Sequence, residues 1–283
     1  MDLKRKVWLD FIPYAKRLFS GGRNDIWQNP DAFLSVFSQG QGLLRSDVLN
    51  IPVGEVYVRL LEQESGLVEE WEGKRPTFAL RKLLAFDEPR EFLSEVLAGL
   101  QNLYRGAQPI VLTLPSPQKW LQWLHTKVRP GQEISISSDD VEATAMYLAE
   151  YVRAFSTSGL AAVVLKEPAD PVFQHKEAIP LYQPIVNLAN HYQWSVGISL
   201  SGTTVEFSEG NDEVDFYLMS NADPAAISGY WEKKLNIGGG LNRDFWSGDQ
   251  NVPPLSERGF AYGEIPEDAE PEMVLSQLKK LRS

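Results

Sequence analysis

Arg45-Ser46-Asp47-Val48-Leu49-Asn50-Ile51-Pro52 is the stretch from which the chain is best read. A charged tip lies inside an apolar run bounded by Gly42 on one side and Pro52-Val53-Gly54 on the other. Apolar residues on both sides of so short a run suit a strand buried on both faces, as in a parallel sheet. Asp47 then puts a carboxylate at or near a buried strand, where an unpaired charge costs several kcal/mol. Either backbone amides hold it, as in an Asx-turn or helix cap, or it faces a ligand.

Working outward, the same kind of run recurs with helix-length segments between. Strands are expected near Val7, Val48, Val111, Val163, Val196, Phe216, Ile237 and Phe260. Amphipathic helices are expected over 30–41, 89–104, 176–192 and 225–234, with a last one opened by Pro271. Asp139-x-x-Glu142 resembles a capping box at the start of a further helix that closes at Gly159. Asn221-Ala222-Asp223-Pro224 reads as an N-cap with Pro at the first helical position. Val56 to Glu62 and Thr77 to Leu84 are expected as extended segments, an excursion from the main sheet at about 55–88.

Strands alternating with helices imply parallel β-α units. Eight of them predict a single (β/α)8 TIM barrel spanning residues 1–283, near the usual size of about 250 residues. A doubly wound open sheet is the alternative. The absence of Gly-x-Gly-x-x-Gly after the first strand counts against its nucleotide-binding form.

Composition narrows the partners. A net charge of -11 argues against nucleic acid and anionic membrane surfaces. The longest apolar runs, such as Leu160 to Leu165, are too short to span a bilayer, so a cytoplasmic location is expected. With no cysteine, thiolate nucleophiles and Cys-ligated zinc are excluded. His125, His175 and His191 form no paired-ligand pattern, so no metal and no cofactor is expected.

Four stretches resemble the uroporphyrinogen decarboxylase and cobalamin-independent methionine synthase superfamily. They are the Asp47 stretch, Ala107 to Pro117, Val164-Leu165-Lys166-Glu167-Pro168-Ala169, and Gly259 to Glu272 with its Pro-x-Asp-x-x-Pro-Glu ending. They occur in the superfamily's order across most of the chain. The resemblance implies the barrel fold, closer to the decarboxylase branch, and for Asp47 a place against the substrate's pyrrole N–H groups. The methyltransferase branch's His and Cys zinc ligands have no counterpart in Val196 to Gly202. The decarboxylase's arginine-rich segment is displaced to Lys16-Arg17, and its last-strand histidine gives way to Tyr262-Gly263.

In such a barrel, polar residues at strand C-terminal ends form the site. Asp47 and Glu167 are the expected catalytic carboxylates. Arg17, Lys166, His175, Ser199, Asn221, Asn242, Arg243 and Tyr262 are expected to bind substrate. Lys166-Glu167 also reads as a local ion pair, and His175 as a solvated loop histidine. Gly238-Gly239-Gly240 reads either as a backbone cradle for an anionic group or as a flexible strand exit. Trp246 is expected at the mouth.

The expected function is a metal-independent, decarboxylase-like lyase acting on an anionic, carboxylated, ring-containing small molecule. The alternatives are a methyl- or other group-transferase without its zinc site, and a non-catalytic binding barrel. Each leaves room for a homodimer.

Overall fold

A computed structural model of the chain describes residues 1–4, 6–21, 24–205, 214–250 and 259–283. β1 (Val7–Asp10) is followed by α1 (Ile12–Ser20) and α2 (Pro30–Leu44). After β2 (Leu49–Pro52) come α3 (Gly54–Gln63), α4 (Ser65–Glu70), α5 (Pro76–Leu83) and α6 (Asp87–Tyr104). β3 (Ile110–Pro115) leads to α7 (Pro117–Val128) and α8 (Ser138–Arg153), and β4 (Leu160–Lys166) to α9 (His175–Leu181) and α10 (Gln183–Tyr192). β5 (Ser195–Ser199), β6 (Phe216–Met219), α11 (Pro224–Glu232), β7 (Ile237–Gly240), α12 (Arg243–Ser247), β8 (Phe260–Glu264) and α13 (Pro271–Arg282) complete the chain.

Every strand pair is parallel, in the order β1-β8-β7-β6-β5-β4-β3-β2. This is a (β/α)8 TIM barrel, and the open doubly wound alternative falls away. The remaining seam, between β1 and β2, is closed by the Asp47 stretch. Asp47 N–H donates to the Val7 carbonyl at 2.9 Å, and its Oδ2 accepts from Val7 N–H at 2.8 Å. Ser46 Oγ accepts from Leu9 N–H at 3.0 Å and donates to the Val48 carbonyl at 2.8 Å. Gln41 holds the Ser46 backbone from α2, and Arg282 at the end of α13 donates to the Leu44 and Arg45 carbonyls. The stretch is therefore a stitch at the N-terminal end of the barrel, where a regular ladder gives way to side chains.

The barrel interior is packed with rings. Trp8 lies against Phe216, Phe260 and Tyr262, with centroids 5.7, 6.4 and 5.8 Å away, in one interior cluster with Val48, Val111, Ala162 and Val164. Glycine makes room for them. A Cβ at Gly197 would come within 2.3 Å of the Phe216 ring, and one at Gly238 within 2.1 Å of Phe260. Gly238-Gly239-Gly240 is thus neither a cradle nor a loose exit but most of β7, its backbone paired in the sheet.

Three sequence expectations need correction. The excursion is helical: Val56, Tyr57 and Leu61 in α3, and Ala79, Leu80 and Leu83 in α5, are the buried positions. That i, i+1, i+5 (α3) or i+4 (α5) spacing marks a helix face, whereas strands alternate. The capping box of α8 is Ser137 with Asp140, two residues earlier than expected. The segment 176–192 is two helices, parted at Tyr182 between Pro180 and Pro184, because proline lacks the N–H that a continuous helix needs.

Candidate functional site

The C-terminal ends of the strands open into a cleft of about 760 Å³. Its floor is set by strand-final residues. Asp10 ends β1 and Glu264 ends β8, and the two are register partners on adjacent strands. Lys166 ends β4 on the far side and reaches across the mouth, its Nζ 2.7 Å from Glu264 Oε1. Tyr262, from the interior ring cluster, points its hydroxyl at the same oxygen at 3.5 Å, a distance at the limit of a hydrogen bond.

Asp10 is the unusual group. Burial and the neighbouring Glu264 carboxylate push its pKa up from 3.8 to about 6, with Lys166 and a hydrogen bond from Asn50 acting against them. Asn50 is oriented for that role. Its Oδ1 accepts from Thr113 Oγ1 at 2.6 Å, which leaves its amide N–H groups for Asp10. A carboxyl that titrates near neutrality in a cleft can give or take a proton under physiological conditions.

Two lysines line the same cleft, their pKa values shifted in opposite directions. Lys166 is held protonated: burial opposes its charge, but Glu264 and Asp10 outweigh burial and raise its pKa. Lys119, from the first turn of α7, has its pKa lowered by burial and by Lys166. Glu55 at the start of α3 adds a further carboxylate to the wall, and Trp27 and Trp123 add rings. The site is thus an aromatic-walled cleft in which charges of both signs alternate.

The expected residues divide. Lys166 is in the cleft, Ser199 is its buried register partner at the end of β5, and Ser199 acts on the Tyr262 hydroxyl below the mouth. Asn221 and Arg243 are on the rim. Asn221 donates to the Ser201 carbonyl at 2.8 Å, and Arg243 pairs with Asp268 at 2.6 Å. Asn242 serves as the N-cap of α12, accepting from Phe245 N–H. Arg17 donates to the Ala269 carbonyl and stacks over Tyr14, away from the cleft lining. His175 sits edge-on to Tyr217, 6.2 Å between centroids, its pKa lowered by burial.

The two expected carboxylates are elsewhere. Asp47 is in the seam at the opposite end of the barrel. Glu167 is only one residue beyond Lys166, but its side chain turns outward. Ser116, Gln118 and Tyr182 donate to it at 2.9, 2.7 and 2.8 Å, and it is 3% exposed. Those donors pull its pKa down against the larger effect of burial. Glu167 thereby ties the β4 exit to α7 and to Tyr182, at the junction of α9 and α10, and makes no ion pair with Lys166. Trp246 is buried under α13 rather than at the mouth, since α12 turns its rings inward.

Asp10, Glu264 and Lys119 were missed from the sequence. Asp10 and Glu264 were legible as the polar residues that end the first and last strands, the position that barrel sites use. Lys119 carried no such signal. Among the described residues no group of three or more His, Asp or Glu is arranged to hold a metal ion, and no helix is long and apolar enough to cross a membrane.

No protein-family model and no curated protein sequence matches the chain. Solved structures do. A methyltransferase from Methanosarcina mazei superposes with a TM-score of 0.65 at 10% identity, over 100% of this chain and 95% of its own. A GH113 β-1,4-mannanase superposes with a TM-score of 0.50 at 9% identity, over 99% of both chains. At such identities the likeness is one of fold alone, and it agrees with the TIM barrel described above.

Proposed function

We propose that the chain is a divergent enzyme of the uroporphyrinogen decarboxylase and cobalamin-independent methionine synthase superfamily, acting as a carboxy-lyase on a carboxylated, ring-containing small molecule. The observation that carries this reading is Asp10, a carboxyl that ends β1 against Glu264 in an open cleft also lined by Lys119 and Lys166, with its pKa pushed up to about 6. The substrate carboxylate pairs with the Lys119 ammonium, and its ring lies against Trp27 and Trp123. The bond between ring carbon and carboxylate breaks, and its electron pair stays on the carbon as CO₂ leaves. Asp10 delivers its proton to that carbon and is reprotonated from solvent, so the net reaction consumes one proton and releases one CO₂. Lys166, held by Glu264, offsets the negative charge that develops. Tyr262 and Ser199 support that pair from below. Asp47 and Glu167 have no part in the chemistry.

The test is release of labelled CO₂ from a panel of pyrrole and aromatic carboxylic acids, with wild type and Asp10→Asn side by side. Release by wild type alone supports the reading. Equal release by both removes Asp10 from it. The likeness of fold to a methyltransferase favours a second reading, group transfer within the same cleft. Methylated product from a methyl donor, without CO₂, would establish that instead. A compound that co-purifies with the protein and is never turned over would point to a non-catalytic barrel.

A further inference from the structure

On the helical layer, with a lining that shares no residue with the mouth cleft, a pocket of about 390 Å³ opens between α5, the start of α6 and α8. Arg81, Arg90 and Arg153 line it, together with Tyr147, Tyr151 and a single acid, Glu150. This concentration of positive charge stands out on a chain of net charge -11.

Its floor is rich in donors and short of acceptors. Tyr151 is 4% exposed, and Tyr57 behind it 0%. The two rings meet edge to face at 5.8 Å. Each hydroxyl influences the other's ionisation, and the Arg90 charge acts on both, yet neither makes a hydrogen bond in good geometry. Arg90 Nε is likewise buried without a partner, while its Nη2 is fixed to the Leu84 carbonyl at 2.8 Å and its Nη1 makes a long pair with the exposed Asp87 carboxylate at 3.5 Å. Buried polar groups are normally satisfied; here the two hydroxyls have only each other and Arg90 Nε has no partner, so the floor is short of an acceptor.

At the rim, Arg153 shares Glu150 at 2.6 Å between two exposed side chains, a pair weak enough to reorganise. Arg81 has no ion-pair partner among the described residues. Planar guanidinium forks above and hydroxyl donors below suit an oxyanion with several acceptor oxygens. A carboxylate's acceptor sites lie in one plane, so it meets donors arriving from opposite sides less well than a tetrahedral oxyanion does.

We propose that this pocket is a binding site for a phosphate-type oxyanion, carried by a small phosphate ester for which the remaining volume leaves room. Arg90 and Tyr151 grip the phosphate from below, and Arg81 and Arg153 close over it. The site is independent of the mouth and of whatever reaction takes place there.

The experiment titrates full-length protein with inorganic phosphate and, separately, with glycerol phosphate, at constant ionic strength, following the melting temperature and the heat of binding. Saturable stabilisation is expected with both, tighter with the ester, and absent with acetate. Arg81→Gln combined with Arg153→Gln should weaken binding by about tenfold or more, as loss of charge-assisted hydrogen bonds implies. Tyr151→Phe keeps the ring and removes the donor, and should weaken it by about tenfold, the order of one such bond. Lys119→Gln, at the mouth, should leave binding unchanged. The proposal is overturned if phosphate gives no saturable effect, if Tyr151→Phe and the arginine pair bind as wild type does, or if Lys119→Gln abolishes the effect. If tight inorganic phosphate comes with no added affinity for the ester, the phosphate site stands and the ester is refuted.

Discussion

Asp10 and Asp47 are the same residue type at the same two neighbouring strands, and they meet opposite fates. Asp47 precedes β2 at the barrel's N-terminal end, where the Val7 amide donates to it and the Arg282 guanidinium feels its charge. Asp10 ends β1 at the other end, faces Glu264, and has its carboxyl raised to about 6. One stitches the sheet, and the other is poised for proton transfer. The difference comes from direction along the strand: a backbone amide left unpaired at the seam satisfies one carboxylate, while burial among converging strand ends, and then the like charge of Glu264, raise the other.

Substituting Asp10 should break this comparison most sharply. Asp10→Asn is expected to lower kcat/KM for CO₂ release by about 10²–10⁴, the usual worth of a general acid. Its stability effect has a definite sign. A carboxyl raised from 3.8 to about 6 favours the folded state when protonated and penalises it when ionised. The penalty is absent below pH 3.8 and fully present above about 6. The shift corresponds to a ceiling of about 3 kcal/mol, reduced by solvent reaching the cleft. Asp10→Asn should therefore gain stability relative to wild type between pH 4 and pH 8, as read by urea melts at both. An unchanged difference across that interval would show that Asp10 titrates normally.

Glu167 comes next, as a carboxylate that looks catalytic in sequence and is structural in space. Glu167→Ala strands the Ser116, Gln118 and Tyr182 donors in a buried site, and should cost about 3 kcal/mol. Below the variant's melting temperature, turnover should stay within about threefold of wild type, well short of the loss expected for a general acid. A stable but inactive variant would return Glu167 to the site.

These two residues also show what was legible in the sequence. The barrel could be read because its strands are fully buried and so appear as continuous apolar runs, as in Leu160 to Leu165. The helical excursion was misread because α3 to α5 are short, and a segment such as Val56 to Glu62 is apolar enough to pass for a strand. For the site, position along a strand was readable and side-chain direction was not. Lys166 and Glu167 are adjacent, and one extra residue turns the second away from the mouth. Pairing across the barrel was hidden as well. Lys166 and Glu264 are 98 residues apart in sequence, and no local pattern records that they meet.

Asp47→Ala should have a smaller effect, confined to the seam. It removes one acceptor from the Val7 amide while the backbone bond from Asp47 to Val7 survives, so a loss of about 1–2 kcal/mol is expected. Ligand-induced stabilisation at the mouth should be unaltered, because the whole barrel interior separates the two ends. Lost ligand affinity at unchanged stability would restore Asp47 to substrate binding and undo the contrast with Asp10.

Arg243 on the rim should respond least in stability and still report on the mouth. Its side chain and that of its partner Asp268 are 72% and 68% exposed, so the pair contributes at most about 0.5–1 kcal/mol and less in salt. Arg243→Gln should melt within experimental error of wild type. The charge nevertheless lies at the entrance to a cleft that, on the proposed reading, receives an anion. Rim charges act mainly on encounter, so the association rate should fall by a few-fold at low ionic strength while dissociation is unchanged. At about 1 M salt the Debye length shrinks to roughly 3 Å and the difference should vanish. Stopped-flow binding of a carboxylate that wild type decarboxylates, at both salt concentrations, gives the answer. A slower dissociation rate in wild type that persists in high salt would mean that Arg243 contacts the ligand directly, moving it from the rim into the site beside Asp10 and Lys119.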